Sequence, residues 1–490
     1  MVSRSGGGAG AGWRVIVAMV RAYGARAERE RAPVGTGAAA LIAVVVSSAV
    51  ATGWSIVTIS SVVLVVVLGR GRGLLVIVAV GCAVTGVWRA EAAWTDLQPR
   101  ELGEYQGWAL VADDPQPYAS STRVLLQIEG ERFESWHRGR AVQIRVSGWR
   151  AGERVHVSGT RRALDPVRAQ RVAWQHVVGE FRLEWASDVD PGRPIDRASN
   201  RVRAAIERGA ATLPGDDGAL FRGLVVGDDR DQPFEMIQRF RASGLSHLTA
   251  VSGQNVSFVL AAAGPLLVRL RPGWRWAATV GLIAWFVSLT RFEPSIVRAG
   301  VMAAFSATGF ALGRERSPFR LLCWAVTGLL LVDPLLAWSV GFWLSVGATA
   351  GVTTIGPWLG ARLGRGGPVS TAVGVTLGAQ AGVVVPAMLV FGRLPLVSIP
   401  ANLLAVPVAG FVMLYGLPAG LIAGVASPIA PIVMLPCRVG VRWVDTVAAL
   451  GDRFEPGGVV TWIGWTLVVA LVVAVAATNG GDHGRASVDR

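Results

Sequence analysis

From Gly244 to Thr478 the chain is mostly one apolar run after another, broken by short turns that carry Arg or Pro. The runs lie near 244–270, 275–291, 295–313, 319–333, 335–359, 369–391, 395–426 and 459–478, and three more precede them at 37–53, 54–69 and 73–88. Roughly 20 apolar residues cross a bilayer, and a segment in lipid must satisfy its own backbone hydrogen bonds, so runs of this length become helices. No soluble core absorbs so many. The 490 residues, with a mean hydropathy of +0.47, read as a polytopic α-helical membrane protein of about ten spans.

One stretch breaks the pattern. Between Glu91 and Asp196 the period changes to two, in Arg123–Ile128, Val142–Val146 and Arg154–Thr160, each ended by Gly or a charged turn. Short strands at this spacing predict a small antiparallel β-barrel inserted between membrane helices, with an OB-like fold favoured, although a small sandwich has the same periodicity. The resulting division is a cytoplasmic leader (1–34), N-terminal membrane helices (35–90), the inserted β domain (91–196), amphipathic or interfacial helices (197–243), a transmembrane channel-like domain (244–478) and a polar tail (479–490). Residues 427–457 read as membrane-proximal, and Pro395, Pro400, Pro407 and Pro418 suggest a broken span at 395–426. Phe234, Ile237 and Phe240 recur opposite Glu235, Arg239 and Arg241, as in an interfacial helix or one packed on the insert. Arg70 with Arg72, Arg269 to Arg275, Arg314 to Arg320, and Arg362 with Arg365 all fall on the cytoplasmic side if the insert is extracellular.

The net charge of +14 comes from Arg alone, since the chain has no Lys; coding bias explains this more economically than selection for Arg chemistry, and because cytoplasmic loops of membrane proteins concentrate positive charge, it says little about nucleic acid. Three cysteines and five histidines show no metal-ligand spacing, and no phosphate-binding loop is present, so neither a metal nor ATP hydrolysis is expected of this chain. No cofactor is implied, and the chain reads as a non-enzyme.

Polar residues inside apolar runs are costly unless they face one another or water. His247, Ser252, Gln254 and Asn255 cluster within about three helical turns, and Gln380 and Asn402 lie deep in later runs, which makes these six the pore-lining candidates. Hydrogen bonding between packed helices is the plainer alternative. A nucleophilic role for Ser246, His247 or Ser252 has no G-x-S-x-G elbow to support it. Glu293 and Arg298, about one and a half turns apart, predict an intramembrane ion pair. In the insert, Arg138, Arg140, Arg145, Arg150, Arg154, Arg161 and Arg162 are interleaved with Trp136 and Trp149. Arg beside aromatic platforms suits single-stranded DNA, while a solvated basic face over core tryptophans fits equally well.

Gly227-Asp228, the helix through Phe240-Arg241 and Gly244-Leu-Ser-His-Leu-Thr-Ala-Val-Ser-Gly253 together resemble the start of the competence domain of the ComEC family. Pro294-Ser-Ile-Val-Arg-Ala-Gly-Val-Met302, Asp333-Pro334 with Ser339–Ser345, and Pro400–Pro407 are similar to that family's later motifs, in order. The resemblance implies an inner-membrane channel that passes single-stranded DNA into the cell during transformation, with the insert on the outer face as an OB-like domain. It also implies a separate DNA receptor and a cytoplasmic ATPase, and leaves room for a homo-oligomer. Many members have a His after the Ser-Gly pair where this chain has Gln254-Asn255, and many carry a metallo-β-lactamase-like domain that does not appear before Arg490, so a separate nuclease is expected. The rival readings are a transporter of a smaller anionic or lipid-linked envelope solute and a membrane-embedded hydrolase using His247.

Overall fold

The computed structural model describes residues 73–118, 121–249, 253–314, 317–364, 367–392 and 394–485, with Val45, 59–60 and 62–63. The leader, most of the first two apolar runs and Ser252 lie outside the described residues.

Helix α1 (Gly73–Thr95) leads into the sheet domain, which runs β1 (Gly103–Val111), β2 (Gln116–Tyr118), β3 (Ser121–Ile128), β4 (Glu131–Arg138), α2 (Arg140–Ser147), β5 (Arg154–Ala163), α3 (Pro166–Val172) and β6 (Val177–Asp190). β1 is antiparallel to β5, with Trp108 opposite His156, and its end at Leu110–Val111 also pairs with β3. β3 pairs with β4, β4 runs parallel to β6, and β6 pairs with β5, so the ladder returns to β1. Val124, Leu126, Phe133, Val155, Val157 and Phe181 point inward and form the core.

The strand expected at Val142–Val146 is a helix. Gly139, at φ 92°, turns the chain out of β4, and the following residues bury Val146 and Trp149, three apart, while Val142 and Ile144 stay exposed. Apolar residues at 142, 144 and 146 fit alternation, but the interior accepts only the residues a helix places on one face.

The helical part follows with α4 (Pro194–Ala210), α5 (Asp217–Val226), α6 (Phe234–Ala242), the single turn α7 (Ser246–Thr249), α8 (Gly253–Leu267), α9 (Pro272–Leu289), α10 (Pro294–Ala311), α11 (Pro318–Val332), α12 (Val340–Thr353), α13 (Ile355–Gly364), α14 (Pro368–Phe391), α15 (Ser398–Val425), α16 (Ala430–Phe454) and α17 (Gly458–Arg485). Among the described residues, α1, α14 and α15 contain stretches long and apolar enough to cross a membrane: Val76–Thr95, Val369–Phe391 and Ser398–Val425. The bent pair Ser427–Phe454 and Gly458–Ala474 would make a fourth, and the apolar helices α11 and α12 are shorter.

α15 is continuous over 28 residues although Pro407 and Pro418 lie inside it. It is held between α16 on one side and α4 and α5 on the other, and a Cβ on Gly424 would lie 1.8 Å from the Ala205 carbonyl oxygen. The run at 335–359 is broken instead. Asp333 and Ser339 accept backbone N–H groups from Leu335 and Phe342, so each caps a new helical start. α12 and α13 then lie along α14 through small residues: a Cβ on Gly351 would be 1.9 Å from Gly378 O, and one on Gly374 would be 2.6 Å from Gly360 N. The segment expected to be membrane-proximal is largely α16, packed along α15. α6 turns Met236 and Phe240 into the protein, leaves Phe234 exposed and joins α16 through Arg239–Asp445, so it is a packed helix.

Candidate functional site

Asp114, at the end of β1, is the centre of a charge network that locks the sheet domain to the helices. Its carboxylate takes Arg203 Nη2 of α4 at 3.0 Å, Arg291 from the α9–α10 turn at 3.1 and 3.2 Å, and the Ala151 backbone N–H at 2.9 Å. Burial alone would raise the Asp114 pKa, but Arg203, Arg291 and Arg230 outweigh it and hold the carboxyl well below the usual range. Arg291 also donates to Asn200, and Arg203 to the carbonyls of Val226 and Leu289. Next to it, Asp228 binds Arg230 at 2.7 and 2.8 Å, and Arg222 reaches Asp231 and Glu207. The pattern was faintly legible: Ser199, Arg203, Ile206 and Ala210 recur at helical spacing, which puts an arginine on the buried stripe of α4.

In three carboxylates beside this network, burial and neighbouring carboxylates outweigh any nearby arginine. Glu293 is pushed up to about 7 by burial and then by Asp113 and Asp229, although its side chain still reaches water. Asp113 is pushed up to about 6 by burial and Asp114, and Asp229 is raised by burial and Asp228.

The expected Glu293–Arg298 pair does not form. Arg298 is 3% exposed and donates through Nε and Nη2 to Ser345 Oγ on α12 at 3.1 and 2.8 Å, and through Nη1 to Met302 Sδ. Glu293 stands ahead of the first turn of α10, near enough to Asp113 and Asp229 for their charges to act on it.

The six pore-lining candidates divide. Gln380 Nε2 donates to Ser398 Oγ at 3.1 Å and Asn402 Nδ2 to Ser398 O at 2.7 Å, so those two amides converge on one residue at the start of α15. Gly244, at φ +72°, packs against the same Ser398, which brings the Gly244–Thr249 turn to that cluster. His247 and Gln254 are exposed, whereas Asn255 is buried and donates to Leu224 O at 3.3 Å. Ser252 lies outside the described residues.

The DNA-binding candidates of the sheet domain also divide. Trp149 is core. Arg161 is buried between Glu129 and Glu101, and Arg150 is bound to Glu207 at 2.6 Å. Trp136 carries Arg168 at 5.0 Å and Tyr118 at 5.3 Å. Arg138, Arg145, Arg154 and Arg162 are exposed and have no ion pair among the described residues; the Arg140 side chain is not described. Sequence reading missed the aromatic row across β1, β5 and β6. Trp108 meets His156 at 5.5 Å, His156 meets Trp185 at 6.1 Å, and Arg154 lies 5.6 Å from the Trp108 ring. Both tryptophans are about half exposed, on strand positions whose alternation points them outward.

A family described as "Competence protein" matches residues 224–479, the segment holding Asp228, Arg298, Gln380 and Asn402. The chain belongs to the ComEC family of competence proteins. This family member is 28% identical over 226 residues to the uncharacterized protein YcaI of Escherichia coli (strain K12), which covers 43% of the chain and 30% of that protein. It is 28% identical over 217 residues to ComE operon protein 3 of Bacillus subtilis (strain 168), covering 43% of the chain and 27% of the relative. Identity to competence protein ComA of Neisseria gonorrhoeae is 28% over 386 residues, or 71% of the chain and 51% of the relative. The chain thus spans between 27% and 51% of the length of these relatives. No solved structure matches it.

Proposed function

We propose that this competence protein is the cytoplasmic-membrane conduit through which single-stranded DNA enters the cell, with the sheet domain receiving the strand on the outer face. The observation that carries the reading is the family match over residues 224–479, the same segment in which amides and a buried guanidinium lie among apolar helices. In this reading the body makes about ten crossings, with α12 and α13 forming one bent crossing against α14. The sheet domain is an OB-like barrel, supported by the ladder β1–β5–β6–β4–β3–β1 and by α2 lying between β4 and β5.

The strand is received by stacking on Trp108 and Trp185 and by phosphate neutralisation at Arg154 and Arg162, because base–aromatic stacking contributes about 1–3 kcal/mol per base without sequence preference. It then moves along His247, Gln254 and the Gln380–Ser398–Asn402 cluster. In this reading the chain supplies a path, while a separate receptor and a cytoplasmic ATPase provide capture and drive.

The test is uptake of labelled DNA by a deletion strain complemented with the full chain. The deletion abolishes uptake, the wild-type gene restores it, and a Trp108→Ala, Trp185→Ala double variant lowers it about tenfold or more. Normal transformation in the deletion strain would sink the assignment.

A further inference from the structure

The turn between α9 and α10 holds Arg291, which binds Asp114 of the sheet domain, and α11 ends at Asp333, which binds His176 of the same domain. The opposite ends of these helices therefore lie on the far side of the helical body. α9 and α10 have 18 residues each, about 27 Å of helix, close to the roughly 30 Å of hydrocarbon in a bilayer. Side chains of both helices tie the far end together. Trp276 Nε1 donates to Thr308 Oγ1 at 3.0 Å, and the Arg275 guanidinium lies 5.4 Å from the centre of the Phe310 ring. Gly313, at φ +64°, turns the chain back, so that the Arg314 N–H reaches Gly309 O at 2.7 Å and Arg314 is held at the end of α10.

Positive charge and apolar surface meet at this end. Arg271 and Arg314 are exposed, and neither they nor Arg275 form an ion pair among the described residues. From Gly253 to Arg314 the sequence holds one carboxylate, Glu293, which lies at the sheet-domain end. Trp274 is 72% exposed, Phe310 59% and Leu312 68%. Large aromatic rings beside arginines at the end of apolar helices suit the layer between hydrocarbon and water, where rings rest at the level of the headgroups and guanidiniums meet phosphate.

We propose that the α8–α9 turn and the end of α10 bind the phosphate of an anionic phospholipid in the leaflet opposite the sheet domain. Arg271, Arg275 and Arg314 supply the donors, because a guanidinium fork matches phosphate oxygens two at a time. Trp274, Phe310 and Leu312 cover the apolar part of the lipid next to its headgroup. The lipid thereby ties the α8–α9 turn to the end of α10, whatever the conduit carries.

The test compares the purified full chain in nanodiscs of phosphatidylglycerol and of phosphatidylcholine. The wild type should melt several degrees higher in phosphatidylglycerol at low salt, and the difference should shrink as salt is raised. Arg271→Gln with Arg314→Gln changes exposed side chains, so this double variant should melt with the wild type in phosphatidylcholine and lose most of the gain in phosphatidylglycerol. Affinity for phosphatidylglycerol in detergent should fall about fivefold for each arginine removed. Arg171→Gln with Arg182→Gln, at exposed positions of the sheet domain, should change neither reading. Equal melting of the wild type in the two lipids overturns the site, as does an undiminished gain in the Arg271→Gln, Arg314→Gln variant. If that variant melts lower by the same amount in both lipids, the arginines are structural and the site is overturned too. A thymidine oligonucleotide that stabilises the wild type through Arg271 and Arg314, where phosphatidylglycerol does not, gives these turns to a nucleic-acid strand and removes the lipid. None of these measurements reads DNA uptake, so the lipid site and the conduit reading fail separately.

Discussion

Asp113 and Asp114 are adjacent carboxylates with opposite energetic signs. Asp114 is held ionised by three arginines, so Asp114→Ala leaves Arg291 without its carboxylate and Arg203 with only Asp228, at 3.7 Å. The loss should be about 3–5 kcal/mol, seen as a lower melting temperature of the purified chain. Asp113 and Glu293 are strained as anions, because each has carboxylate neighbours and a partly enclosed site. Glu293 keeps its proton to a higher pH in the folded protein than in the unfolded chain, so stability falls as pH rises from its ordinary 4.5 through about 7. Glu293→Gln should therefore stabilise the protein at pH 8, on the order of 1 kcal/mol once its access to water is discounted, and do nothing near pH 4.5. Melting curves at the two pH values decide this. A variant equally stabilising at both would mean that the carboxylate is not strained.

At the scale of elements, α2 and the α12–α14 contact make the sharpest claims. In a strand, residues 142, 144 and 146 would share one face and tolerate charge equally. In the helix, Val146 is fully buried and Ile144 is 66% exposed. Val146→Asp should unfold the sheet domain, costing about 3 kcal/mol or more, while Ile144→Asp should be nearly neutral. Protease resistance of the domain within the full chain reads both. The α12–α14 contact depends on backbones that touch through glycines. Gly351→Ala, whose Cβ would meet Gly378 O at 1.9 Å, should sharply lower the yield of folded protein, whereas Gly328→Ala on α11 meets nothing within 4 Å and should be silent. Equal yields would mean that the helices separate without cost.

For the whole molecule, the sheet domain is fastened to the helical body at Asp114–Arg203–Arg291 and at His176–Asp333, so the two keep a fixed relation. The proposed orientation places that domain outside and the α8–α9 turn inside. A membrane-impermeant thiol reagent applied to intact cells should label Arg145→Cys and not Arg271→Cys, both exposed positions, in a Cys82→Ser background. Labelling in the reverse sense would invert the molecule and remove the sheet domain's role in receiving DNA.

The sequence by itself determined the class of molecule, the family and the strands β3 and β5, because apolar length, period-two alternation and motif order are properties of a local stretch. Tertiary structure decided everything that depends on which elements meet. Glu293 and Arg298 are near in sequence, yet one lies near Asp113 and Asp229 and the other bonds Ser345, because a partner in space is chosen by helix packing. Trp149 and Arg161, equal to their neighbours in composition, are taken into the core and into ion pairs, while Trp108, His156 and Trp185, far apart in sequence, form one row because three strands align them. The 142–146 segment became a helix for the same reason: its pattern fits two periods, and only the core of the sheet domain beneath it selects one.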